Sequence, residues 1–210
     1  GVGRALTVSL RGAYHDFAAG NDETLSAARA HPCLVPVATV HPGRYLGCRE
    51  EVRRCVGDGM GVFRFFPDLQ GWGPSDLHFL RVAEAVVEAG GRALMLNADR
   101  SGWPSALARD LGGLGIPVIM LGISYVNLAE AIAAMKAVPN LCCDGMMFDT
   151  PWAYETVCEE VGDDRVLFGS GLPARYFSSA YGMVRDAELT EAQRDGILYR
   201  NAARMLGLEE

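Results

Sequence analysis

Lysine is almost missing from this chain. Lys136 is the only one among 210 residues, and arginine supplies the rest of the positive charge. Lys136 sits in AEAIAAMKAV, a helical pattern rather than a strand end. Schiff-base catalysis needs a desolvated amine in the pocket, so an aldolase-type mechanism is excluded, as is a carboxylated lysine bridging two metals. Long apolar runs are missing too. None reaches the roughly 20 residues that cross a bilayer, and the amino terminus lacks a charged segment followed by an apolar core. The expected location is the cytoplasm, with no membrane partner. Six cysteines (Cys33, Cys48, Cys55, Cys142, Cys143 and Cys158) contain no C-x-x-C pair, so buried free thiols are expected rather than a disulfide scaffold or thiolate metal site. The net charge of −7, with arginines scattered among acids, argues against nucleic acid as a partner.

What is present is apolar material. Half of the residues are hydrophobic and 21% are charged, which suits one domain over residues 1–210 with a large core. Strand and helix patterns alternate at the period of βα units. The expected strands are Ala5 to Leu10, Leu34 to Val40, Gly61 to Phe66, Ala93 to Asn97, Pro117 to Leu121, Leu141 to Gly145 and Val166 to Phe168. Helices are expected at Glu23 to Ala30, Tyr45 to Val56, Ser75 to Ala89, Pro104 to Leu111, Leu128 to Ala137, Trp152 to Val161 and Glu191 to Leu206. Ser75 with Asp76 opens the third of these, Gly90 and Gly91 close it, and Thr190 opens the last. The nearly continuous apolar strands fit a parallel sheet covered by helices.

Several segments carry a resemblance. RVLFGSGLP (Arg165 to Pro173) and LTEAQRDGILYRNAARMLGL (Leu189 to Leu208), with its "Ile-Leu, two residues, Asn-Ala" signature, are similar to the closing segments of the amidohydrolase-related proteins. HPCLVPVATVHP (His31 to Pro42) and GVFRFFPD (Gly61 to Asp68) look like that family's third and fourth strands. The resemblance runs from about Asn21 to the end. It implies a (β/α)8 TIM barrel of metal-dependent hydrolases, lactonases and decarboxylases. Only seven strands are visible, so the family's first βα unit, with its His-x-His metal motif, is expected to be absent or supplied otherwise, for instance by a neighbouring subunit. An open barrel edge then favours a homo-oligomer.

The resemblance also implies metal donors at positions that this chain fills differently. Asn97 stands where the family tends to place one histidine, Gly122 and Ile123 where it places another, and Gly171 where it places a catalytic aspartate. The expectation is a degenerate metal site with no cofactor; zinc or manganese held through His15, His41 and Asp99 is the alternative. His31 and His78 read as structural. Gly169, Ser170 and Gly171 do not complete the G-x-S-x-G nucleophile elbow, but with Arg175 they form a candidate anion loop.

Candidate ligand contacts at the strand ends are Arg64, Asn97, Ser124, Tyr125, His15, His41, Ser170 and Arg175, with Asp144 and Asp99 as candidate general bases. Arg64, inside FRFFP, calls for either a carboxylate partner, for which Asp144 is the candidate, or an anionic ligand. Trp72, Trp103 and Trp152 either wall a pocket or cover the core. Three functions are expected in order: a non-catalytic or weakly catalytic binder of a small, anionic molecule; an active hydrolase or decarboxylase acting on a lactone, ester or carboxylate; and an interaction subunit.

Overall fold

The computed structural model describes residues 1–208. Two units of dense internal packing divide the chain, Gly1–Leu96 and the residues from Asn97 onward. In the first, β1 (Ala5–Thr7) is followed by α1 (Leu10–Tyr14) and α2 (Phe17–Ala30), and β2 (Leu34–Ala38) by α3 (Cys48–Gly57). Next come β3 (Val62–Phe65), α4 (Pro67–Gln70), α5 (Leu77–Glu88) and β4 (Ala93–Asn97). The second unit contains α6 (Trp103–Leu111), β5 (Val118–Leu121), α7 (Leu128–Ala137), β6 (Leu141–Asp144), α8 (Ala153–Val161), β7 (Val166–Leu167) and α9 (Phe177–Asp186). It closes with α10 (Glu191–Asp195), a π-helical turn at Gly196–Arg200 and α11 (Asn201–Leu206).

All seven strands stand where the apolar runs predict them, and every neighbouring pair within a unit is parallel: β1 with β2, β2 with β3, β3 with β4, β5 with β6 and β6 with β7. The four residues of β5 and the four of β6 are all buried, as expected of strands covered on both faces. Helices lie between them with one apolar side inward. α5 buries Phe79, Val82, Ala83 and Val86, and Phe79 stacks on Trp72 at 4.5 Å and meets Phe65 edge-on. Trp72 therefore belongs to the core, whereas Trp152 is exposed. Among the described residues no helix is long and apolar enough to cross a membrane.

Three local readings are corrected. The first strand ends at Thr7 rather than Leu10, because the Ser9 side chain accepts the Arg11 N–H and starts α1. α2 begins at Phe17, six residues before the expected start, because Asp16 caps it through the Ala19 N–H. α9 was not expected at all, since its Ser178, Ser179 and Gly182 are weak helix formers; Phe177 packing on Phe168 at 5.6 Å and burial of Ala180 and Val184 override that propensity.

Buried polar groups fasten the elements. Asn201, of the "Ile-Leu, two residues, Asn-Ala" signature, is 3% exposed and donates to the carbonyls of Asp163 (2.7 Å) and Val166 (2.9 Å), tying the last helix to the short β7. Arg165 donates to Met135 O and Val161 O, closing the carboxyl ends of α7 and α8. In the first unit Asn21 exchanges hydrogen bonds with the Thr39 backbone and donates to Glu51 Oε1 at 2.7 Å. Glu51 also takes two bonds from Arg54 at 2.8 Å. Burial alone raises the Glu51 carboxyl, but the bonds from Arg54, Asn21 and Cys55 outweigh it and hold the group below its ordinary value of 4.5.

Two measurements check these fastenings. Asn201→Ala leaves two carbonyls without their donor and should cost about 2 kcal/mol, a fall in Tm of roughly 4 to 8 °C by differential scanning calorimetry. Glu51 has a folded pKa below its unfolded one, so its stabilisation is present above pH 4.5 and lost as pH falls through the folded value. The Tm deficit of Glu51→Gln should therefore be largest at neutral pH and shrink on acidification below that value; a deficit independent of pH would contradict the assignment.

Candidate functional site

The chemistry-bearing residues of the second unit gather where β5, β6 and β7 end. Asp144 closes β6, an otherwise apolar strand, and is only 5% exposed. A carboxylate at that depth requires hydrogen-bond donors. One is the Gly122 N–H, 3.2 Å from Asp144 Oδ1, at the end of β5. On the other side the backbone of Gly169, after β7, comes so close that a Cβ there would collide with Asp144 Oδ2. Tyr154, at the start of α8, is fully buried and donates to the Gly145 carbonyl at 3.2 Å. Burial pushes its phenol far up, and the neighbouring Asp144 charge adds to the shift.

Gly122 and Gly171 explain why two expected donor positions carry no side chain. Their φ angles are +78° and +67°, in the left-handed region that L side chains rarely adopt. The same Gly122 donates its N–H to Asp144. At Gly171 the lack of a Cβ leaves room for the Arg175 side chain, whose Cδ lies 2.9 Å from where a Cβ would stand. Arg175 is exposed, its N–H donates to Gly171 O at 2.9 Å, and Ser170 Oγ accepts the Leu172 N–H.

The remaining candidates divide between the units. Asp99 is exposed, with its Cβ beside Gly122, and so joins the Asp144 group. Asn97 is half-buried at the end of β4. Ser124 is half-buried and its N–H is held by Asn127 Oδ1, while Tyr125 projects into solvent, 72% exposed. Asn127 was missed by sequence reasoning: it is 2% exposed and ties this loop to the Ala98 carbonyl, and nothing in a lone asparagine after a tyrosine-valine pair signals that role.

Arg64, His15 and His41 belong to the first unit. Arg64 lies on β3 with its guanidinium 4.9 Å over the Phe66 ring. His15 is exposed at the end of α1, where its carbonyl accepts from Arg44 Nη1. His41 follows β2; burial lowers its imidazole pKa, helped by Arg44 and His78. All four histidines are in the first unit. Five of the six cysteines are buried and free; burial raises Cys48 to about 11 and Cys142 and Cys158 to about 12, which keeps them protonated. Among the described residues no three His, Cys, Asp or Glu side chains converge as metal ligands.

Comparison with known proteins adds a family and a fold. The family model described as Amidohydrolase matches residues 11–208. No curated protein matches the chain. Among solved structures, a TIM-barrel protein from Bordetella bronchiseptica is 16% identical with a TM-score of 0.78, over 97% of this chain and 77% of its own. A 5-carboxyvanillate decarboxylase from Novosphingobium aromaticivorans, solved with manganese and a hydroxylated nitrobenzoic acid, is 15% identical with a TM-score of 0.72, over 99% and 78%. A 2,6-dihydroxybenzoate decarboxylase from Rhizobium is 16% identical with a TM-score of 0.69, over 97% and 80%. At such identities the likeness is one of fold, and that fold is the TIM barrel.

Gly169 gives a direct test of the Asp144 geometry. Gly169→Ala should destabilise by about 1 to 3 kcal/mol in urea unfolding, because the carboxylate must shift. Gly182→Ala, in α9 with open space at its Cβ position, should be neutral or stabilising by up to about 1 kcal/mol.

Proposed function

Starting from a chain that belongs to the amidohydrolase family, we propose that it binds a small hydroxylated carboxylate at the strand ends of its second unit, without the metal chemistry of its relatives. The observation that carries this reading is the buried Asp144 carboxylate at the end of β6, positioned by Gly122 and flanked by Gly169. Asp144 accepts from a ligand hydroxyl. Arg175 pairs with the ligand carboxylate, helped by backbone N–H groups of the Gly169–Gly171 loop. Gly169, against Asp144, and Gly171, under Arg175, are two residues apart, a backbone span of at most about 7 Å. That distance suits a molecule the size of a hydroxybenzoate.

A divalent metal does not fit this residue set. Such an ion needs several imidazole or carboxylate donors at about 2 Å, and the strand ends offer Asp144 and Asp99 beside glycines fixed in left-handed conformations.

A second reading is turnover, favoured by the likeness to two decarboxylases of hydroxylated aromatic acids. In it Asp144 or Asp99 acts as a metal-free general base on the same class of molecule.

Titration calorimetry with 2,6-dihydroxybenzoate tests the binding reading. Wild type should bind, and Arg175→Ala and Asp144→Asn should each weaken binding about tenfold or more, roughly 1.4 kcal/mol. Undiminished affinity in both variants would sink it. Protein purified without chelator should hold far less than one equivalent of zinc or manganese; a full equivalent would restore metal chemistry to first place. Carbon dioxide release that is lost in Asp144→Asn would decide for turnover.

A further inference from the structure

One side chain crosses the site without having been marked by any sequence pattern. Met146 follows Asp144 by two residues, in a turn that the Phe148 N–H closes on the Gly145 carbonyl at 3.1 Å. The same Gly145 donates its own N–H to Leu167 O, which fixes the turn to the end of β7. Held in this way at Gly145, the turn places a half-exposed Met146 beside the carboxylate. Its Cβ stands 3.0 Å from the Cβ position of Gly169, and its Cε reaches to 3.6 Å from the Cβ position of Gly122. Those are the two glycines that flank Asp144, one against each carboxylate oxygen. The thioether therefore spans the carboxylate from one side to the other, while Met146 itself stays half-exposed and Asp144 is buried.

We propose that Met146 is the specificity-determining cover of Asp144: its side chain sets the size of the group that reaches the carboxylate. This rests on the binding reading above. Neither glycine contributes a side chain, and Met146 is the side chain that comes close to both of them. An unbranched thioether has three rotatable bonds and adapts its shape at modest cost, unlike a branched or aromatic residue. A cover that leaves the Gly122 N–H bonded to Asp144 admits a hydroxyl group while it crowds the ring that carries it. In this arrangement Met146 touches the ligand's periphery and takes no part in proton transfer.

Met146→Ala and the conservative Met146→Leu separate this proposal from the reading it rests on. The first readout needs no ligand. Hydrogen exchange of the Gly122 amide, which donates to Asp144, should lose about tenfold or more of its protection in Met146→Ala and stay near wild type in Met146→Leu, with the amides of Val118–Leu121 unchanged as the control for folding. The second is the ratio of affinities for 2,6-dihydroxybenzoate and the smaller glycolate, which should rise at least fivefold in Met146→Ala. Unchanged Gly122 protection, or an unchanged ratio in a folded Met146→Ala, overturns the cover. Failure of wild type and both variants to bind either probe overturns the binding reading and the specificity role with it, while Gly122 protection still reports whether Met146 shields Asp144.

Discussion

A carboxylate held at 5% exposure constrains the second unit more than any other group. Asp144 ends a strand made otherwise of leucine and cysteine, and burial in such surroundings without donors is costly. The backbone answers that demand. After β5 the Gly122 N–H meets Oδ1, and after β7 the main chain passes close to Oδ2 at Gly169. Tyr154 and Met146 then pack around the same group. Gly122 and Gly169 thus both lie against one carboxylate placed deep in the fold.

A histidine or aspartate at Gly122 or Gly171 would have to adopt a backbone conformation that L side chains rarely take. What the strand ends present is a buried carboxylate, a loop of N–H groups and an arginine. These groups suit orientation of a hydroxylated anion. With one lysine in the chain, on the outer helix α7, the positive charge at the site is a guanidinium, which pairs with carboxylates through two parallel bonds rather than as a point charge.

Elsewhere the structure depends on polar side chains that close what the short strands leave open. β7 has two residues, and its attachment relies on Asn201 reaching two carbonyls. That gives a physical reason for the asparagine of the terminal signature: it ties the last helix to β7. Arg165 does the same for the ends of α7 and α8.

Strand positions were legible because a strand buried on both faces must be apolar throughout, and VIML and LCCD leave little else to be read. Helices with clear caps, such as the one opened by Thr190 with its reciprocal Gln193 bonds, were legible for the same local reason. α9 was not, since its Ser178, Ser179 and Gly182 are weak helix formers and it is held by Phe168, which lies outside the helix. Asp144 and the glycine loop could be picked out as candidates by their place after apolar strands. Asn127 and Met146 could not, because nothing local distinguishes a buried clamp or a covering thioether from any other asparagine or methionine. The sequence by itself determined the alternation of strand and helix and the likeness to the family, both properties of local pattern. Only the tertiary structure decided which residues share the Asp144 environment, because Gly122, Asp144, Met146 and Gly169 meet through parallel pairing of β5, β6 and β7, and that pairing, not proximity in the chain, sets their distances.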